Sequence, residues 1–150
     1  GLNSKMQEIS AIVGNYNLKN FNKILNKRMK IIKMYRNFFQ NFENRKIFSL
    51  MKVDSNVRCT FLYFPILVNK RINGFKKHLA RYNISFRKYY SAVHNLEYYK
   101  KEKSNTIRLN LEFTNKIKDK VIALPIFSDM SVKEVNYIFS KINQFYKDLK

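Results

Sequence analysis

The run Thr60-Phe61-Leu62-Tyr63-Phe64-Pro65-Ile66-Leu67-Val68 decides the fold class. Its nearly unbroken aromatic, aliphatic and β-branched side chains suit a pleated sheet, so the run predicts a strand. Pro65 has no N–H to give to a ladder and is expected at an edge or a bulge. Downstream, Ile72, Phe75, Leu79 and Tyr82 recur at three- and four-residue intervals and predict a helix of about three turns. Ile84 to Tyr90 predicts a second strand, and Val121 to Leu124, ended by Pro125, a third. Between them, Lys100 to Asn105 reads as a loop and Leu111 to Lys120 as a helix. Ser131 with Glu134 three residues on forms a capping box, and Val132, Val135, Phe139, Ile142 and Phe145 form the apolar face of a last helix.

Upstream of the first strand, residues 4 to 14 read as a short helix. Leu18, Phe21, Leu25, Ile32, Tyr35, Phe39 and Phe42 then mark a long one, with Arg28 on the stripe and Met29 beside it. Asn44 to Cys59 is irregular and polar, a connection between subdomains. The order helix, helix, strand, helix, strand, helix, strand, helix is an α+β layout, a small three-stranded sheet covered by helices. It divides into residues 1–43, a long helical segment, and 44–150, a small α+β domain.

At 150 residues the chain fits one domain, and 45% hydrophobic with 15% aromatic residues supplies a core. The single cysteine, Cys59, excludes an internal disulfide and a cysteine metal cluster, which fits a reducing, cytoplasmic setting. The net charge of +20 would normally suggest a nucleic acid or an anionic membrane. Its excess is mostly lysine, 22 against 8 arginines, alongside 19 asparagines, the bias that an AT-rich genome imposes. The arginine fork that reads bases and phosphates is sparse, so a solvated surface is the leading reading, ahead of a surface that attracts the diphosphate of a substrate. No nucleic-acid or membrane partner is therefore expected. The competing reading is a freestanding basic module for RNA or an anionic membrane surface, because Lys19, Lys23, Lys27, Lys30, Lys33 and Arg36 line one face of the Phe-rich helix.

Catalytic constellations are scarce. His78 shares a polar helix face with Lys76, Lys77 and Arg81 and reads as a surface histidine; His94 lies in a loop after a strand. Two distant histidines and one cysteine give neither metal-ligand spacing nor a nucleophile-base pair. Three glycines cannot build a phosphate loop. The residues alone show no self-sufficient active site.

The sequence opens on Gly1-Leu2-Asn3-Ser4-Lys5-Met6-Gln7-Glu8-Ile9, with no initiator methionine, as if a longer protein had been cut there. The pattern Gly-x-Asn-x-Lys-Met followed by Glu8 and Ala11 resembles a motif of the DegT-type nucleotide-sugar aminotransferases, pyridoxal-phosphate enzymes of fold type I. Further landmarks follow in the family's order: Asn26 to Ile31 with Arg28 and Tyr35, Phe64-Pro65-Ile66-Leu67, Phe86-Arg87-Lys88-Tyr89-Tyr90, and Ala123 to Phe127. Phe86 to Tyr90 resembles the branch that aminates 4-keto-6-deoxy sugars on thymidine diphosphate. Ser91-Ala92-Val93 departs from the family's Tyr-Pro-Leu, and Gln7, Ile12 and Asn15 drift from its pattern.

The resemblance implies the C-terminal small domain of such an enzyme, a homodimer with composite sites that binds pyridoxal 5'-phosphate mainly through a large domain preceding this segment. Asn3 would then reach the cofactor phosphate of the partner subunit, where an amide donor and a helix start suit an anion; otherwise it caps the helix near Ser4. Lys5, Arg87, Tyr89 and Tyr90 would face the nucleotide sugar, with glutamate as the common amino donor. The alternatives are a solvated lysine and a half-buried strand. The family's Schiff-base lysine lies upstream of Gly-x-Asn, and none of the 22 lysines here occupies its motif. No catalytic residue is expected in this chain, and it should be inactive alone.

Overall fold

The stripe upstream of the sheet folds as one helix rather than two, α1, Glu8–Asn44, 37 residues long. No proline interrupts it, and Gly14 costs a helix interior only about 1 kcal/mol relative to alanine. The computed structural model describes residues 5–88, 92–98 and 111–147. At 1.5 Å per residue α1 is about 55 Å long, and only its C-terminal half is covered. Leu25, Ile31, Ile32, Tyr35, Phe39 and Phe42 are buried, whereas Leu18 and Phe21, expected on the packed stripe, stay exposed. Arg28 is half-buried, with its Nε shielded from solvent and without a hydrogen-bond partner among the described residues.

The α+β layout holds, but among the described residues the sheet has four strands. A short strand, β1, Phe48–Leu50, lies in the stretch expected to be irregular; three residues are too few to show a period. It pairs with β2, Phe64–Val68, which pairs with β4, Val121–Leu124, which pairs with β3, Arg87–Lys88. All pairs are antiparallel, in the order β1-β2-β4-β3. Strand β2 starts later than expected because Phe61 takes a left-handed conformation, φ 46°, and turns the chain. Pro65 lies on an inner strand rather than at an edge or a bulge. The Val68 N–H donates to Lys120 O on the β4 side. N–H directions alternate along a strand, so position 65 faces the β1 side, one place beyond the last pair, Leu50 with Ile66. The missing donor breaks no ladder bond.

Helix α2, Ile72–Arg81, follows β2 as expected. The span Ile84–Phe86 is not strand, and Tyr89 and Tyr90 lie outside the described residues, as does the Lys100–Asn105 loop. A short 3-10 turn at Val93–Asn95 and α3, Glu112–Ile117, precede β4. Helix α4, Val132–Tyr146, carries the expected capping box: Ser131 Oγ accepts from the Glu134 N–H. Its buried face is rotated from expectation, to Val135, Ile138, Ile142 and Tyr146. Val132 is 60% exposed because position 132 is in the first turn, beyond the covered length.

Phe64, Ile66, Val68, Ile122 and Leu124 turn one sheet face into the core. They meet the covered half of α1 and α4 in an aromatic cluster where Tyr35 stacks on Phe64 at 4.7 Å and Phe38 on Phe139 at 4.0 Å. Two buried hydroxyls are satisfied: Tyr35 Oη donates to Pro125 O at 3.0 Å and Tyr146 Oη to Lys70 O at 2.9 Å. Burial pushes the pKa of both phenols up. The Tyr35 bond fixes the backbone as it leaves β4, which positions the groove described next.

Candidate functional site

The other face of the sheet is open. Period-two alternation places Pro65, Ala123 and Arg87 in one row across β2, β4 and β3, since Pro65 and Arg87 both pair with Ala123. Arg87 Nη1 donates to Tyr63 Oη at 2.9 Å, and its guanidinium carbon lies 5.3 Å from the centre of the Tyr63 ring. Beside this pair is a shallow cavity of about 210 Å³ whose wall includes Ser85, Ala123, Pro125 and Phe127. A second open groove, about 420 Å³, shares Ser85, Pro125 and Phe127 and continues past Asn83, Lys133 and Tyr137 along α4.

The charge along this face is positive. Among the described residues no carboxylate pairs with Arg87, and Lys133 is exposed. Glu134, which borders the groove, is committed elsewhere: its carboxylate accepts from Ser131 N and Oγ at 2.7 Å each, which holds it below the usual glutamate range. Phe127 and Tyr137, both 45% exposed, supply aromatic walls. Such a face can hold an anionic group that carries a planar or apolar part. Among the described residues it shows no nucleophile-base pair. A third cavity, about 320 Å³, lies between α1 and the start of α4, where Lys27 Nζ meets Asp129 Oδ1 at 2.7 Å.

Of the residues singled out from sequence, Arg87 sits in the groove, and Lys5 is exposed just ahead of α1. Asn3, Tyr89 and Tyr90 lie outside the described residues. Tyr35, fixed to Pro125 beside the groove, is separated from the start of α1 by 27 residues, about 40 Å of helix. Lys5 and Arg87 therefore lie in different parts of the chain's structure. Sequence reasoning missed Tyr63, Ser85, Phe127, Lys133 and Tyr137. Alternation at 63/65, 85/87 and 123/125 would have put Tyr63 and Ser85 on one face with Arg87.

His78 is half-buried rather than on the surface, its Nε2 2.8 Å from Lys141 O and its ring near Tyr82 and Phe145. His94 Nε2 lies 3.0 Å from Asn115 Oδ1. Among the described residues no three His, Cys, Asp or Glu could hold a metal, and no helix is long and apolar enough to cross a membrane. Nor do those residues fit a pyridoxal-phosphate pocket. Lys27 and Lys30 at one cavity and Lys133 at another are solvent-facing, and both of those cavities are open grooves rather than enclosed clefts.

A sequence profile described as the DegT/DnrJ/EryC1/StrS aminotransferase family matches residues 1–143. The chain is 32% identical over 136 residues to dTDP-4-amino-4,6-dideoxy-D-glucose transaminase of Escherichia coli, covering 87% of this chain and 36% of that relative. It resembles the crystal structure of a DegT DnrJ EryC1 StrS aminotransferase from Brucella abortus with a TM-score of 0.83 at 19% identity, covering 97% of this chain and 37% of the other. A putative PLP-dependent aminotransferase from Bacillus cereus gives a TM-score of 0.77 at 27% identity, with 96% and 38% covered. The chain thus spans little more than a third of the length of these relatives.

Proposed function

This chain belongs to the DegT/DnrJ/EryC1/StrS aminotransferase family, and from that membership we propose that it forms the C-terminal, small-domain part of a pyridoxal-phosphate-dependent enzyme that aminates a keto nucleotide sugar. Residues 44–150 form the small domain and 1–43 join it to the large one. The match to the Escherichia coli dTDP-4-amino-4,6-dideoxy-D-glucose transaminase, named for a sugar carried on dTDP, carries this reading and favours a thymidine-diphosphate sugar. The sugar product serves surface-polysaccharide synthesis in the cytoplasm, with glutamate as donor. The exposed apolar residues at the start of α1, Ile9, Ile12, Val13 and Tyr16, support a covering surface outside these 150 residues.

Within that assembly the residues divide by place. Asn3 acts at a partner subunit's site, donating its amide to the cofactor phosphate, and Lys5, exposed just ahead of α1, meets the substrate as a point charge. Arg87, Tyr89 and Tyr90 face the nucleotide sugar, Arg87 as a bidentate anion grip and the tyrosines as apolar walls with a hydroxyl. Pyridoxal phosphate supplies the electron sink for amino transfer when the large domain holds it. The chain alone is inactive.

Two measurements test this. The isolated chain mixed with pyridoxal phosphate should show no stable bound-cofactor absorbance that a single lysine substitution abolishes; such a band would overturn the claim of inactivity. Joined to the N-terminal two-thirds of the Escherichia coli relative, it should restore glutamate-dependent amination of a dTDP-4-keto-6-deoxy sugar. A folded, cofactor-loaded hybrid without that activity would count against the substrate class.

A further inference from the structure

We propose that Tyr63 is a positioning residue for Arg87, holding the guanidinium across the small side chain of Ala123 so that its free edge grips the diphosphate of the ligand; this rests on the substrate-facing role of Arg87 given above. Strand β3 is an edge strand of two described residues, and Arg87 is exposed on it. An exposed arginine samples many rotamers and loses that freedom when it binds. Here the freedom is already restricted. Tyr63 Oη accepts one Nη1 N–H at 2.9 Å, and the guanidinium carbon lies 5.3 Å from the ring centre.

The reach depends on what lies between. Arg87 and Pro65 flank Ala123 in one row, so the arginine crosses β4 to a residue next to β2, and β3 and β2 are about 10 Å apart. A methyl group at position 123 lets it pass. Ala123 is 3% exposed although it belongs to the open face, as expected of a residue beneath a crossing side chain. Tyr63 is itself anchored, half-buried and two residues after the left-handed turn at Phe61.

The guanidinium has five N–H donors, and the hydrogen bond to Tyr63 uses one of Nη1. The edge made by Nε and Nη2 has no partner among the described residues, and no carboxylate there competes for it. That edge matches two oxygens of a phosphate. Phe127 and Lys133 continue the groove beyond it, so the ligand class is a diphosphate bearing a bulky substituent.

The test uses the full chain and pyrophosphate as the probe, with binding read in every variant from the backbone amide shifts of groove residues such as Ser85 and Phe127, and guanidinium rotation read, where Arg87 is present, from its side-chain N–H resonances. Wild type should bind in the millimolar range, and R87Q should abolish the response. Y63F keeps the ring and removes the acceptor. It should weaken binding roughly 3- to 10-fold, the size of one hydrogen bond, at unchanged melting temperature, with faster guanidinium rotation. A123V should weaken binding similarly by displacing the arginine. Wild-type affinity and rotation in Y63F would overturn the positioning role while leaving the anion grip of Arg87 intact. Unchanged binding in R87Q, or no wild-type response at millimolar pyrophosphate, would overturn both.

Discussion

The two halves of α1 have similar side chains and opposite fates. From Leu25 to Phe42 one stripe, Leu25, Ile31, Ile32, Tyr35, Phe39 and Phe42, is buried against the sheet and α4, Tyr35 and Phe39 to 0% exposure. From Ile9 to Phe21 the apolar positions are open, with Ile9 and Leu18 at 75%. Both halves are helical because the sequence offers no breaker, and propagation from a packed segment needs no second nucleus. Helix formation is thus a local property here, and burial is decided by what the rest of the chain can reach. Among the described residues nothing covers the first half, and Gln7 makes no side-chain bond to cap the helix start.

The largest break in this comparison should come from equal truncations on either side. Phe39→Ala removes a ring that contacts Tyr35, Phe38, Phe42, Phe48 and Phe64. It should cost about 3–5 kcal/mol in urea unfolding. Tyr16→Ala, 67% exposed, should leave the midpoint within about 0.5 kcal/mol. A comparable loss in Tyr16→Ala would show that the first half is packed in solution, for instance against a second copy, and its concentration dependence would identify that case.

Helix starts give a smaller contrast. Helix α4 begins with a complete capping box, and α1 with none. Ser131→Ala should cost about 1 kcal/mol of global stability, because α4 is part of the core. Gln7→Ser should leave the global midpoint unchanged and only slow amide exchange in the first turns of α1, because that end frays independently. A global gain from Gln7→Ser would mean that the two halves unfold as one unit.

What could be read from sequence follows the same division. The capping box, α2, the strand at Val121–Leu124 and the α+β class were legible because each has a local signature. Strand β1 was not, since the alternation of Phe48–Leu50 is only three residues long, too short to stand out as a period. Nor was the exposure of Leu18 and Phe21, because periodicity reports a face and not whether anything covers it. At the site, Arg87 was named from a family resemblance, while Tyr63 was hidden inside a β-prone run. Its partnership with Arg87 depends on two strand pairings through β4, a nonlocal fact.

The smallest effect lies at the border between the halves, where Lys27 ties α1 to Asp129 ahead of α4. The hydrogen bond from Lys27, and then its charge, hold the Asp129 carboxyl below its ordinary 3.8. A carboxylate with a lowered folded pKa adds stability that is present above the unfolded value and is lost as pH falls through the folded one. The pair is solvent-exposed, 48% and 78% by side chain, so screening keeps its contribution slight. Glu134 and Asp119 are shifted in the same direction, by Ser131 and Lys88, and share the acid limb. Stability should therefore fall below about pH 4, and Asp129→Asn should shallow that fall without changing its position. Added salt should mimic the substitution for Asp129 but spare Glu134, whose partners are neutral. If Asp129→Asn instead loosens amide protection at both Lys23 and Lys30, the border is a hinge that this ion pair holds closed.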